Sequence, residues 1–237
     1  MTVTENNTLG SIVANNLSTS KVFNKYGLDY CCGGNKTLHD VCKEKNINIK
    51  EIINELTDNS VITPGIDYNS WPLDLLIDYI EKKHHRYVRE EVPVISKNLD
   101  RLCKVHGEKH PELYEVQRHF ESSANELSTH MQKEEMLLFP HIRNLVKAKT
   151  DNTQIVPAPF GSVKNPIGMM MKEHESEGER FVRIKHITND YLVPEDGCNT
   201  YSATYQMLRD FETDLHLHIH LENNILFPKS IALEAEQ

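Results

Sequence analysis

The chain is poor in tryptophan, with a single residue, and has no excess of basic charge: its formal net charge is −9 at pH 7. That balance excludes non-specific nucleic-acid binding, which needs a positive surface. No apolar run approaches the length of a membrane span, so no membrane association is expected. The polar opening from Met1 to Asn7 lacks the basic-then-apolar design of a signal peptide, and a cytosolic protein is expected. Cysteine is scarce as well: five residues, an odd number, fit reduced thiols better than a disulfide framework. Strand-like alternation is also missing. What the chain has in quantity is histidine, thirteen residues in 237, several of them inside apolar helical patterns.

Two of those histidines head the same short phrase. His130-Met-Gln-Lys-Glu134-Glu-Met-Leu-Leu-Phe139-Pro140 is echoed by His218-Ile-His-Leu-Glu222-Asn-Asn-Ile-Leu-Phe227-Pro228. Residues four apart on an α-helix stand one above the other, so each pair aims an imidazole and a carboxylate at one point. Two such helices facing each other supply two nitrogens and two carboxylates, a ligand set suited to a pair of metal ions in a helix bundle.

Helical signals run through the chain. Thr8 to Tyr26 reads as one helix ending at Gly27, followed by the turn-rich Gly27 to Asn35 and helices from Thr37 to Lys45 and Ile49 to Leu56. A linker follows, marked by Pro64-Gly65. Four long amphipathic helices are then expected. The first runs from Ser70 to Val105, kinked or divided at Pro93, and the second from Pro111 to Ala148. After an irregular crossing the third runs from Asn165 to Asp190, and the fourth from Thr200 to Leu233. The sequence therefore predicts an all-α protein. A small helical domain (1–58) carries Cys31-Cys32, a linker spans 59–70, and an antiparallel four-helix bundle fills 71–237.

Periodicity places the paired ligands on buried stripes. His218 lies within roughly 60° of Phe211, Leu215 and Ile225 at the helical repeat. His216 shares its side with Arg209, Glu212 and Asn223, a solvated face. His130 aligns with Val116, Leu127 and Leu137, which brings Glu134 into the core, where an uncompensated carboxylate costs several kcal/mol and a cation removes the cost. His174 stands with Ile167, Met170, Met171 and Phe181; Gly178, one turn on, leaves room for an open coordination position. In the first bundle helix periodicity slightly favours His84, which lines up with Leu73, Ile77, Ile80 and Val88, over His85, which shares a side with Val88, Val92 and Leu99, and spacing does not settle between them. Mixed imidazole and carboxylate ligation without thiolate favours non-haem iron, with manganese or zinc behind it.

On these residues the chain resembles a known family. The four-helix half is similar to a hemerythrin-type domain. With Tyr26-Gly-Leu-Asp-Tyr-Cys31-Cys32-Gly33-Gly34 ahead of it, the whole chain from about Leu9 to Pro228 resembles the di-iron proteins for repair of iron centres. The resemblance implies a cofactor of two iron ions with an oxo bridge, a homodimer, and a cytosolic role in stress response. That role is to restore iron–sulfur clusters damaged by nitric oxide or peroxide, the partners being the proteins that carry those clusters. It implies His85, His130, Glu134, His174, His218 and Glu222 as metal ligands, the two glutamates bridging. His85 is preferred to His84 because it matches the family histidine ahead of Arg89-Glu90-Glu91-Val-Pro93. Glu126 and Glu173 match family carboxylates close to the centre and are candidate proton relays. Gly178 stands where oxygen-carrying hemerythrins have a second histidine, which disfavours oxygen storage.

Adjacent cysteines often behave as small hydrophobes. Cys31-Cys32, however, precedes Gly33-Gly34-Asn35 and a helix start, where backbone N–H groups and the helix dipole are expected to lower a thiol pKa. The resemblance adds a role in redox chemistry or iron transfer. Cys42, Cys103 and Cys198 are scattered and read as ordinary side chains. The leading expectation is an iron-handling repair protein that donates iron from a labile centre, rather than a classified enzyme. The alternatives are a nitric oxide reductase acting at the same site and an oxygen or nitric oxide sensor or carrier.

Overall fold

A computed structural model of the protein describes residues 3–58, 65–154 and 156–236. Among the described residues the regular elements are all helical. The fold is all-α, a small N-terminal helical domain followed by an antiparallel four-helix bundle. The expected linker lies partly outside the described residues, at 59–64; Tyr68–Ser70 forms a 3-10 turn capped by Asp67.

Local chemistry sets most helix ends. Thr8 and Thr37 cap their helices by accepting the N–H of Ser11 and Asp40. Gly27 ends the opening segment with φ +61°, a conformation that costs glycine least. The expected single helix from Thr8 to Tyr26 is, however, broken. Leu9–Asn15 stops at Asn16, whose extended backbone (φ −154°) lets its side chain accept the Ser18 N–H and open Leu17–Thr19 and then Ser20–Lys25. The asparagine competes with the helix by capping the next turn.

The long helical runs cover 73–106, 112–151, 164–187 and 199–235. Pro93 does not divide the first, since Arg86–His106 is continuous through it. The third ends at Ile187, short of the expected Asp190, because Asn189, Asp190 and Tyr191 all take positive φ. Three π-helical stretches interrupt these runs: Ile80–His85, Glu134–Leu138 and Glu222–Leu226. The latter two stand directly before Phe-Pro. Proline clashes with the carbonyl four residues back and brings no N–H. The chain answers with one wide turn, in which the N–H of Phe139 reaches Glu134 O and that of Phe227 reaches Glu222 O.

Each wide turn advances the helix face by one residue. Leu137, expected inside, is 50 % exposed, and Leu138 is fully buried in its place. In the first run the same widening buries both His84 and His85. The expected stripe around His218 is present, with Phe211, Leu215 and Ile225 buried, but Met171 beside His174 is exposed.

Packing defines two compact units: Met1–Ile77, Ile142–Ile167 and Leu217–Gln237 form the first, Asp78–His141 and Gly168–His216 the second. In the first, Leu9, Ile12, Phe23, Leu38 and Ile52 are buried, and Asn224 enters a cradle formed by Gly10 and Gly34. In the second, Phe211 meets Phe120 edge-on and stacks with Phe181.

Candidate metal centre

The π-helical turns present the site residues. His85 closes one of these stretches, and Glu134 and Glu222 each open one. His85, Glu134 and Glu222 have no exposed surface; His130, His174 and His218 are at most 3 % exposed.

Carboxylates behind the histidines select their tautomers. Nδ1–H of His85 donates to Glu135 at 2.7 Å, and Nδ1–H of His130 donates to Glu173 at 2.8 Å. Each ring then carries its lone pair on Nε2, the form a metal binds. Arg89 anchors Glu135 through both carboxylate oxygens at 2.7 Å. Burial pushes the Glu135 carboxyl up, but Arg89 and His85 hold it below its ordinary value. Glu173, bonded to His130 and Lys133, is held down at about 2, chiefly by His130.

The Nε2 atoms of His85 and His130 both face Glu134 Oε2, at 3.4 and 3.3 Å. These distances exceed a good N–H···O bond. Two ligand atoms each about 2.1 Å from one ion, at right-angled to tetrahedral geometry, lie roughly 3.0–3.4 Å apart. Nε2 of His174 lies 3.0 Å from Nε2 of His130, and Nε2 of His218 lies 2.9 Å from Glu222 Oε1. The donor atoms fall into two groups, each within 4.8 Å: His85, His218, Glu134 and Glu222, and His130, His174, Glu134 and Glu222. Both carboxylates belong to both groups. Buried carboxylates facing imidazole lone pairs at such spacings fit cations.

His84 is equally buried but lies outside both groups; its Nδ1–H donates to Asp214 at 2.9 Å, and its ring packs edge-on against Tyr79. Glu126 and Glu173 line a pocket of about 320 Å³ together with His130, His174, Lys133 and Glu177. Glu126 is paired with Arg180 at 2.6 Å.

Glu177 was not singled out from sequence. Next to Gly178, where the sequence places an open position beside His174, Glu177 lines the pocket and is 3 % exposed. It accepts the Ser123 hydroxyl at 2.6 Å, and burial pushes its carboxyl up against the pull of Ser123 and Arg180. Its place three residues after His174 was the only sequence signal. The expected solvated face of His216 is also corrected: Glu212 and Asn223 are buried, and His216 is half-buried. His220, overlooked in sequence, is 1 % exposed, packs against Tyr30, and is lowered to about 4 by burial.

Cys31 and Cys32 occupy a different environment from the one expected. Asp29 precedes them, and its Oδ1 accepts the N–H of Cys31 and of Cys32 at 3.0 and 2.9 Å, while Oδ2 accepts that of Gly33 at 2.9 Å. The amides expected to stabilise a thiolate are therefore spent on a carboxylate. Cys31 is buried with its sulfur 3.8 Å from that of Cys32, and its thiol is pushed well up by the bond to Cys32, by burial and by Asp29. Asp29, Cys31 and Cys32 nonetheless form a third group of clustered ligand atoms. Asn223 and Asn224 hold the segment by donating to Cys31 O at 3.3 Å each, and Asn224 also to Tyr30 O at 3.2 Å.

A helical bundle with paired histidine–carboxylate groups defines a hemerythrin-type cation-binding protein, and the hemerythrin HHE cation binding domain family matches residues 76–230. A second family, ScdA_N, described as a domain of unknown function (DUF542), matches residues 5–60. The iron-sulfur cluster repair protein YtfE of Escherichia coli O8 (strain IAI1) is 33 % identical over 226 residues, covering 95 % of this chain and 97 % of that protein. That of Shigella boydii serotype 4 (strain Sb227) shows the same figures, and that of Citrobacter koseri is 32 % identical over the same length. The chain belongs to the iron–sulfur cluster repair family of hemerythrin-domain proteins. No described helix is long and apolar enough to cross a membrane.

Proposed function

We propose that the protein repairs iron–sulfur clusters damaged by oxidative or nitrosative stress by giving up iron from a labile oxo-bridged two-iron centre. The observation that carries this reading is the sharing of Glu134 and Glu222 between the two ligand groups. His85 and His218 would hold one iron, His130 and His174 the other, and both carboxylates would bridge. Bound there, the metal pair supplies exchangeable iron and positions open to small ligands. Four imidazoles and two carboxylates offer about eight donor atoms where two octahedral ions take about twelve, so protein ligation is incomplete and release is favoured.

The chain's own residues support that cargo role. Glu135 and Glu173 fix the tautomers of His85 and His130, and the pocket beside His130 and His174 gives a small chelator or acceptor an approach. Cys31 and Cys32 with Asp29 would serve in transfer, the two sulfurs binding iron as thiolates once their protons are lost. The protein acts in the cytosol as a homodimer, on proteins carrying damaged clusters.

The deciding experiment is restoration of a nitric-oxide-damaged cluster enzyme by the iron-loaded protein, with iron counted before and after. Recovery matched by iron loss is expected. A protein that holds its iron and restores nothing would sink the reading. The pocket with its buried Glu177 favours a second reading, in which two nitric oxide molecules, two protons and two electrons from an external donor give nitrous oxide and water. Anaerobic turnover with nitrous-oxide detection separates the two.

A further inference from the structure

A second group of reactive side chains gathers where the third and fourth long helices are joined, around a cysteine that looks ordinary in sequence. Cys198 is exposed and immediately precedes the helix Asn199–Leu221. The backbone amides of Thr200 and Tyr201, in the first turn of that helix, act with His106 to lower its thiol. It lies 3.3 Å from Nε2 of His106, 92 positions earlier at the end of Arg86–His106.

The imidazole is held in place. Tyr201 meets the His106 ring edge-on, with centroids 5.5 Å apart and planes at 76°, and His110 packs on it at 6.4 Å. His110 is itself fixed between Glu112 and Asp196, at 2.9 Å from each. Lys109 stands 3.5 Å from Asp196. An accessible nucleophile, a base within bonding reach and neighbours that orient the base are the parts of an activated cysteine.

We propose that Cys198 and His106 form a dyad that reacts with low-molecular-weight disulfides, making Cys198 an S-thiolation site. The Cys198 sulfur attacks one sulfur of the disulfide and forms a new S–S bond while the old one breaks. The departing thiolate leaves with the electron pair and takes the proton that His106 holds on Nε2. Cys198 is oxidised, the departing half is reduced, and the disulfide is the only oxidant.

The surroundings favour this cysteine over Cys31, Cys42 and Cys103. His106, helped by the Tyr201 amide, holds the Cys198 thiol down at about 7 against an ordinary 9.0. At pH 7 roughly half is thiolate, against about one part in a hundred for an unperturbed thiol. A more acidic thiol is intrinsically less nucleophilic, with a Brønsted slope of about 0.4–0.5, which leaves a net gain of about six-fold. Cys42 and Cys103 are buried, and burial pushes both thiols up; Cys31 is pushed up by Cys32 and by burial. Cys198 also stands 20 residues before His218, roughly 30 Å along a helix at about 1.5 Å per residue.

The test treats the full-length metal-loaded protein with oxidised glutathione and maps the adducts by mass spectrometry, then follows the rate with a dithiodipyridine as a function of pH. Expected are first modification at Cys198, a rate midpoint near pH 7, about five-fold loss of rate at pH 7 in His106→Gln with the midpoint moving up, and unchanged metal content. Cys198→Ser should remove the fast phase. First modification at Cys32 or any other cysteine would overturn the proposal, as would a wild-type midpoint near 9 or a His106→Gln profile identical to wild type.

Discussion

Replacing Gly10 by alanine adds one methyl group and should loosen the whole N-terminal domain. On intrinsic propensity the change is favourable, since Gly10 lies in Leu9–Asn15 and alanine gains up to about 1 kcal/mol there. Its Cβ, however, would fall 2.0 Å from Asn224 Oδ1, 2.5 Å from Asn224 Cγ and 3.0 Å from the Gly34 carbonyl. Asn224 must leave. It then loses its bonds to Tyr30 O and Cys31 O, worth about 1–2 kcal/mol together, on top of about 2 kcal/mol of overpacking. Net destabilisation is about 2–3 kcal/mol.

Buried Cys42, in the same domain, provides the readout. Where labelling follows transient opening, about 2 kcal/mol speeds Cys42 modification roughly thirty-fold. A double-mutant cycle isolates the cause. Asn224→Ala alone should cost about 1–2 kcal/mol through the lost hydrogen bonds. In the Asn224→Ala background Gly10→Ala should be close to neutral, an interaction of about 2 kcal/mol by urea unfolding. Additive effects, or wild-type Cys42 labelling in Gly10→Ala, would refute the cradle.

Other outcomes follow from the metal centre. Glu134→Ala or Glu222→Ala should each release iron from both positions, and metal analysis showing two irons retained in either variant would end the bridging assignment. His85→Ala should lower iron content, whereas His84→Ala, which breaks the contact with Asp214 and the packing on Tyr79 outside both ligand groups, should keep the iron and lower the thermal midpoint. Glu173→Gln replaces the carboxylate behind His130 with an amide, and iron affinity measured by chelator competition should fall about 10–100-fold.

Much of the bundle is legible in the residue order because its signals are local. His130/Glu134 and His218/Glu222 share helical faces by spacing alone, Thr8 and Thr37 announce helix starts, and Gly27 ends a segment wherever the chain goes next. Faces counted at a constant helical repeat fail where the repeat changes. The wide turns before Pro140 and Pro228 and at His84–His85 move the buried side by one residue, which exchanges Leu137 for Leu138 and buries both histidines. The Phe-Pro signal for two of these turns was present in the sequence; how the chain would absorb the proline was not.

Sequence by itself determined the helical class, the repeated ligand pairs and the presence of Cys31-Cys32, because each depends on residues within one or two turns of one another. Tertiary structure decided the electrostatics. Asp29 takes up the amides expected to stabilise a thiolate, Ser123 bonds to Glu177 from 54 residues away, and His106 meets Cys198 from 92. A pKa depends on which charges and donors the fold brings within a few ångströms, and chain spacing carries no record of that.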